Sequence, residues 1–117
     1  MALFLEAKLQ QATLRRAILR RTIFVDADAT LADFSGADLT ESVFHRAQCE
    51  GAKLKGCQLT NADLSNANVS AADFSSAVLT RTRLHRVVEK ATIWGRRGAA
   101  IGDDPEVAAS EDWKPAH

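Results

Sequence analysis

A strict period of five residues runs along residues 2–94 without a single insertion. One position of each period, which we call the centre, holds mostly Leu or Phe, and all five phenylalanines of the chain occupy it. Two residues before each centre stands a small residue, which is Ala at thirteen of nineteen positions. Such regular self-similarity predicts a stack of repeated units rather than one irregular globular core.

The length of the period excludes the two regular secondary structures as continuous elements. Five residues of α-helix advance by about 500°, so the centres would be scattered around the helix instead of forming one stripe. A straight strand alternates its side chains with period two, so an odd repeat would send successive centres to opposite faces. The chain must therefore bend once per repeat, and short edges joined by corners predict stacked coils.

The repeat units resemble those of the pentapeptide repeat family, as in Ala37-Asp38-Leu39, Ala62-Asp63-Leu64 and Ala72-Asp73-Phe74. The resemblance covers about four-fifths of the chain and implies an all-β solenoid, a right-handed quadrilateral β-helix with four repeats per coil. Residue n then stacks on residue n+20, and residues 1–94 form nearly five coils. Centres and small residues are expected to face inward, with coils about 4.8 Å apart.

The pattern weakens near its C-terminal end. Glu89 occupies a centre and Val87 a small position, so we expect regular coiling to end between Leu84 and Val88. Ile93 and Trp94 are expected to close the end of the core. Residues 95–117 change in composition and are predicted to be a linker followed by a short helix from Pro105 to about Trp113, or a disordered tail. This segment is expected either to fold back as a cap over the last coil or to be a loose tail.

One column of centres is lighter than the other three, since it includes Ala29, Cys49 and Val69. We expect the core to be thinnest there, and Leu31 to turn inward beside Ala29. Cys49 and Cys57 are predicted to be small buried fillers, because neither a disulfide framework nor zinc-ligand spacing is present.

The charge and the motifs argue against several classes of function. The net charge is zero, and residues 2–94 hold twelve basic and ten acidic side chains, so nucleic acid is not an expected partner. The chain has no phosphate-binding loop, nucleophile elbow or zinc-protease motif, so we expect no enzyme activity, no cofactor and no metal. His45 and His85 are expected to be surface residues two coils apart.

The outward positions of one face are apolar near the N-terminus. Five branched side chains should form one patch there, which we predict to bind protein, most simply a second copy of the chain; they are Leu3, Leu5, Ile23, Val25 and Val43. The alternative is that these residues only reflect the preference of β-structure for branched side chains.

Four arginines lie close together in the first coil, namely Arg15, Arg16, Arg20 and Arg21. They predict a local basic patch that either solvates the open end of the coil stack or pairs with an acidic partner. The repeat begins at the second residue with no capping segment, so the first coil is predicted to stack on a partner, on its own copy or on further repeats. A homodimer is therefore expected through the apolar face or through an open coil end.

The function that these features favour is a non-catalytic scaffold for protein–protein interaction in the cytoplasm, with no membrane span expected. The repeats also look similar to segments attached to bacterial type VI secretion accessory proteins, which implies a module of a larger protein. The alternative, implied by other family members, is a rod that imitates DNA, binds DNA gyrase and confers quinolone resistance. That activity needs a continuous negative surface, whereas residues 2–94 have a balance of +2.

Overall fold

The computed structural model describes residues 3–95, which form a right-handed quadrilateral β-helix, as the resemblance to the pentapeptide repeat family implies. Between these limits there is no helix, and each straight edge is a single parallel β-bridge rather than a longer strand. The bridges pair each residue before a centre with the residue twenty positions later, from Leu3 with Ile23 to Asp73 with Ile93. We number the coils 1 (3–22), 2 (23–42), 3 (43–62), 4 (63–82) and 5 (83–95).

Hydrogen bonds between coils run along every edge. The N–H of a centre donates to the carbonyl nineteen positions later, as from Phe34 to Lys53 at 2.7 Å. The N–H of a bridge residue donates in the opposite direction, as from Lys53 to Ala32 at 2.8 Å. Each interior coil is therefore hydrogen-bonded to the coil before it and to the coil after it. Stacking on these neighbours holds its backbone in place.

Each corner is a β-turn whose third residue has a positive φ. At the corner after Phe34, the N–H of Ala37 donates to the Phe34 carbonyl at 2.9 Å, which is the bond of a type II turn. Fifteen non-glycine residues hold the third position with φ between 53° and 61°. The left-handed conformation is strained for such residues. Their N–H groups donate to the next coil, as at Ala71, and this pairing helps to hold the corner in place.

The centres and small residues fill the interior as predicted. The rings of Phe4, Phe24 and Phe44 stack along one column with centroids 5.2 Å and 4.5 Å apart, and Phe34 meets two of them edge-on at 5.8 Å. The light column is also closed to solvent in coils 2 to 4, where Ala29, Cys49 and Val69 are at most 1% exposed. Both cysteines are buried and free, as expected for fillers.

Polar residues at small positions are accommodated by a repeated hydrogen bond. The Thr82 hydroxyl donates to the Leu59 carbonyl at 2.7 Å, and the Cys57 thiol donates to the Phe34 carbonyl at 2.8 Å. Each donor lies 23 residues after its acceptor, so the two residues lie at the same corner of adjacent coils. Ser42 is the exception, since its buried hydroxyl has no hydrogen-bond partner among the described residues.

The expected end of regular coiling between Leu84 and Val88 is wrong. The N–H groups of Val88 and Ile93 both donate to coil 4 at 2.9 Å, so bridges continue through Ile93. Glu89 does not interrupt the stack because its position in coil 5 is exposed to solvent rather than enclosed by a following described coil.

Two further expectations concern single side chains. Trp94 covers the core, because its ring stacks on Phe74 with centroids 4.5 Å apart. Ile93, in contrast, points outward and is 55% exposed, so it does not help to close the end. Leu31 does not turn inward beside Ala29, since it is 53% exposed and lies over Gly51, where the missing side chain leaves room for it. The predicted linker and helix beyond Gly95 lie outside the described residues.

Candidate docking surfaces

The predicted apolar residues lie together on one face of coils 1 to 3. Ile23 is bridged to Leu3 on one side and to Val43 on the other, so these three form one outer column. Leu5 and Val25 form the neighbouring column, and the Glu6 N–H joins the two coils by donating to the Val25 carbonyl at 3.0 Å. We call the set Leu3, Leu5, Ile23, Val25 and Val43 the apolar face.

The apolar face combines exposure with a rigid support. Leu3 and Leu5 are 60% and 56% exposed, and the other three residues are partly buried between their neighbours. Directly beneath this face lies the stacked column of phenylalanine rings, which holds the backbone of both outer columns in place. In coils 4 and 5 the same columns hold Asp63, Arg83, Ser65 and His85, so the apolar character is limited to one end.

Three of the four arginines of the predicted basic patch pair with carboxylates of coil 2. These pairs are Arg15–Asp33 at 3.3 Å, Arg20–Asp38 at 3.8 Å and Arg21–Glu41 at 2.9 Å. The arginine side chains are more than half exposed, so each pair contributes little to stability by itself. Arg16 has no carboxylate within ion-pair distance in residues 3–95. Binding of an acidic partner by the four arginines remains a prediction.

A pattern that the sequence reading missed is Asp or Asn before a centre together with Ser or Thr after it. The Asp28 carboxylate accepts hydrogen bonds from the backbone N–H and the hydroxyl of Thr30, at 3.1 Å and 2.6 Å. This is an Asx turn, in which a side chain supports the corner that follows it. The same N–H bond recurs at five further sites: Asp33–Ser35, Asp38–Thr40, Asp63–Ser65, Asn68–Ser70 and Asp73–Ser75.

These hydrogen bonds favour the charged carboxylates. At Asp28, Asp33, Asp38 and Asp73 the pKa lies below its ordinary value, chiefly because the hydroxyl and N–H two residues later donate to the carboxylate. The pKa of Asp26 is also lowered, in this case chiefly by the hydrogen bond from Arg46 in the next coil. The aspartates therefore stabilise their own corners and pair with neighbouring arginines, and the period alone indicated neither role.

A groove of about 580 Å³ lies on the face that carries Arg15. Its lining includes the small residues Gly36, Gly51, Ala52 and Ala71, and the side chains of Arg16 and Leu31 pack over Gly36 and Gly51. Four cations line it, and these are Arg15 and Arg16 in coil 1 and Lys53 and Lys55 in coil 3. Asp73 is the one carboxylate in the lining, and Asp33 is engaged with Arg15 beside it. We call this surface the cationic groove.

The first coil presents a second kind of surface, at its open edge. The centres Phe4, Leu9, Leu14 and Leu19 pack against the core but remain only partly buried, unlike their counterparts in coils 2 to 4. The N–H groups of Lys8, Thr13 and Ile18 have no backbone acceptor among the described residues. This edge has the geometry to receive another coil, because it offers unpaired backbone groups and apolar side chains together.

Residues 3–95 contain no group of three or more His, Cys, Asp or Glu side chains placed to hold a metal ion. The prediction that His85 is a surface residue is wrong, because it is only 7% exposed, while His45 is partly exposed. Burial raises the pKa of both cysteine thiols to about 12, which makes them poor nucleophiles. Within the described range no helix could span a membrane.

Comparison with known proteins identifies the repeat. The family model for pentapeptide repeats matches residues 7–46 and 42–81, with eight copies. Among curated proteins, none matches the sequence.

Several solved structures share the fold. Rfr23, a pentapeptide repeat protein from the cyanobacterium Cyanothece 51142, is 29% identical with a TM-score of 0.77, over 79% of this chain and 63% of that one. A pentapeptide repeat protein from the Arabidopsis thaliana thylakoid lumen is 26% identical with a TM-score of 0.62, over 89% and 71%. One from Nostoc Pcc 7120 is 21% identical with a TM-score of 0.51, over 82% and 84%. The chain thus spans less than two thirds of the Cyanothece protein.

Proposed function

Because the chain belongs to the pentapeptide repeat family, whose members are generally non-catalytic scaffolds, we propose that it is a scaffold that docks a protein on its apolar face. In the simplest case the docked protein is a second copy of the chain. The observation that carries this proposal is the exposure of Leu3 and Leu5 beside Ile23, Val25 and Val43 on one flat surface.

The distribution of outer residues supports a specific surface over a general preference for branched side chains. If β-propensity alone selected them, branched apolar residues would occur in the same columns of every coil. Beyond coil 3, the column of Leu3 instead holds Asp63 and Arg83, and the column of Leu5 holds Ser65 and His85. A contiguous apolar area with a polar continuation on the same face is typical of an interaction site.

A second copy is the simplest partner because an apolar face can pair with itself about a two-fold axis. In such an isologous contact each residue meets the equivalent surface of the other molecule, so no additional complementary site is required. The open edge of coil 1 offers a different interface, through which backbone groups would pair as between coils. The two interfaces differ in composition, so substitutions of outer residues can distinguish them.

The experiment is light scattering with separation by size, over a wide range of protein concentration. We expect the unmodified chain to associate, and the variant Val25→Lys/Val43→Lys to lose association, because two charges would be placed in the contact. The matched control is Val78→Lys/Val88→Lys, which changes two exposed valines on other faces and should leave association intact. A chain that stays monomeric at high concentration contradicts the proposal, as does unchanged association of Val25→Lys/Val43→Lys.

The proposal includes the cytoplasm as the location and a larger bacterial protein, of the type VI secretion accessory type, as the context. Two buried free cysteines are compatible with a reducing compartment. The half-buried centres of coil 1 are compatible with further repeats stacked on that edge. The coding sequence upstream of this chain tests the context, because in-frame repeats or another domain are expected there.

Imitation of DNA receives no support from the described surface. Coil 2 carries five acidic side chains and no basic one, but coils 1 and 3 on either side of it are basic. Ion pairs such as Arg46 with Asp26, at 2.9 Å, join the neighbouring coils, so the negative surface is not continuous. A gyrase supercoiling assay with the purified chain should therefore show no inhibition.

A further inference from the structure

The apolar face is bordered by an ion pair at each of its two corners. At the corner before the face, the Arg21 guanidinium donates to the Glu41 carboxylate at 2.9 Å, and we call these two residues the leading pair. At the corner after the face, the Arg46 guanidinium donates to both carboxylate oxygens of Asp26, at 2.9 Å and 3.0 Å, and these two form the trailing pair. Each of the four side chains is at least 39% exposed, so each can also contact a molecule that lies on the face.

The two pairs have opposite polarity along the coil stack. Arg21 and Asp26 border the same edge of the apolar face, and Glu41 and Arg46 border the edge one coil further. The cation therefore comes first in the leading pair, whereas the anion comes first in the trailing pair. Each edge consequently has one positive and one negative corner, and the signs are exchanged from one edge to the next.

This pattern of charges matches itself after a half-turn about an axis parallel to the coil stack. Such a half-turn places the leading corner of one copy opposite the trailing corner of a second copy, at the same level of the stack. Arg21 then meets Asp26 of the second copy, and Glu41 meets Arg46 of the second copy. Because the operation is symmetric, each contact occurs twice, so four contacts between opposite charges border the two faces.

The same half-turn brings apolar residues together. The column of Leu3, Ile23 and Val43 faces the column that holds Leu5 and Val25 of the second copy. Leu3 lies opposite Leu5 of the second copy, and Ile23 lies opposite Val25 of the second copy. Every residue of the apolar face except Val43 therefore meets an apolar side chain, and the exposed surface of both leucines is removed from water.

Antiparallel arrangements satisfy only one of these two requirements. A half-turn about an axis across the face, at the level of Arg21, overlaps the apolar residues but sets Arg21 and Asp26 opposite their own equivalents in the second copy. Moving that axis by half a coil toward the C-terminus pairs opposite charges but sets Leu3 opposite Asp63 of the second copy. Moving it by half a coil toward the N-terminus sets Glu6 opposite Asp26 of the second copy. Like charges in contact and leucines against carboxylates both disfavour association.

The complementarity of the parallel arrangement is limited to the apolar end of the molecule. In the following coils the two corners of this face hold Asn61 and Asn66, and then Arg81 and Arg86. A parallel second copy would set Arg81 opposite Arg86, which favours separation of the two molecules there. The contact is therefore confined to coils 1 to 3, which is the extent of the apolar face.

We propose that two copies of the chain associate in parallel about a two-fold axis along the coil stack, with their apolar faces in contact and the leading pair of each against the trailing pair of the other. The proposal rests on the proposed function, the docking of a second copy on the apolar face, and adds its orientation and register. The apolar residues supply the contact area, and the four corner charges select one orientation among several that would bury the same residues.

Exchange of the two charges within a pair tests the orientation. The leading exchange is Arg21→Glu/Glu41→Arg, and the trailing exchange is Asp26→Arg/Arg46→Asp. Each exchange keeps the net charge and an ion pair on its own corner, but in the parallel dimer it opposes like charges at all four contacts. We expect either exchange to raise the dissociation constant at least about tenfold at low salt, measured by light scattering with separation by size.

The matched control combines the two exchanges in one chain. All four contacts of the parallel dimer are then again between opposite charges, so association should return to the level of the unmodified chain. A variant that lost association by misfolding would not recover when two further residues are changed. In 1 M salt, where the screening length falls to about 3 Å, the differences between the variants should largely disappear.

Two results would overturn the orientation while leaving the docking of a second copy intact. One is association that neither exchange changes, because the antiparallel arrangement that pairs opposite charges does so within the leading pairs and within the trailing pairs. The other is a fourfold variant that associates as weakly as the chains with one exchange. In both cases Val25→Lys/Val43→Lys still decides whether the apolar face is the contact. A chain that remains monomeric at high concentration would overturn the orientation and the proposed function together.

Discussion

Coil 1 and coils 2 to 4 are built from the same repeat but differ in what surrounds them. Leu19, Leu39 and Leu59 occupy one column, and Leu39 and Leu59 are fully buried whereas Leu19 is only partly buried. The outer residues differ as well, since coils 2 and 4 carry Asx turns while the bridge positions of coil 1 hold Leu3, Lys8, Thr13 and Ile18. The comparison shows that a repeat acquires its interior from its neighbours and not from its own sequence.

The largest effect should appear when equivalent leucines are removed from the two regions. Leu59→Ala should cost about 2–5 kcal/mol of unfolding free energy, because it leaves a closed cavity between two coils. Leu19→Ala should cost clearly less, since part of its side chain is already in contact with water. Urea denaturation measures both, and equal losses would mean that coil 1 is covered in solution.

The next effect concerns buried hydroxyl groups in the middle of the stack. Thr82→Ala should lower stability by about 1 kcal/mol, because it removes the hydrogen bond to the Leu59 carbonyl. Ser42→Ala should raise stability by about 1 kcal/mol, because it removes a buried hydroxyl that has no partner in residues 3–95. Thermal or urea melts measure the stability of both variants. A change in the same direction for both would contradict the prediction.

A smaller effect should follow acidification, and it should originate in coils 2 and 4. The pKa values of Asp28, Asp33, Asp38 and Asp73 are lowered in the folded chain, so their contribution is complete above the unfolded pKa of about 3.9. This stabilising contribution is lost as the pH falls below about 4 and the carboxylates become protonated at their lowered pKa values. Urea melts at successive pH values should show this decline, and the fourfold Asp→Asn variant should show a shallower one. Constant stability down to pH 3 would refute the assignment.

The smallest effect should be equal in the two regions. Glu6 in coil 1 and Ala71 in coil 4 have φ of 55° and 59°, so both corners hold a side chain in the left-handed region. Glu6→Gly and Ala71→Gly should each change stability by a few tenths of a kcal/mol in the favourable direction, since relief of strain slightly exceeds the entropy that glycine adds. A difference between the two greater than the fitting error would show that corner strain depends on burial.

The predicted surfaces show where the reasoning from sequence was sufficient. The columns Leu3–Ile23–Val43 and Leu5–Val25 could be assigned because each follows from counting twenty residues. The ion pairs of Arg15 and Arg20 could not be assigned in this way, because each joins a carboxylate eighteen residues later, whereas Arg21 pairs with Glu41 twenty residues later. A long side chain can reach several neighbours, and the choice among them depends on which carboxylate lies within a few ångströms.

The sequence by itself determined that the chain coils and that every centre faces inward, because a period of five with no insertion leaves no other way to turn every centre inward. The register of twenty residues came from the resemblance to the pentapeptide repeat family. Only the tertiary structure decided which outer residues are covered and which are exposed. It buried His85, left Glu89 and Ile93 exposed and laid Leu31 over Gly51. The physical reason is that local geometry sets the direction of a side chain, whereas burial and pairing depend on neighbours twenty residues away.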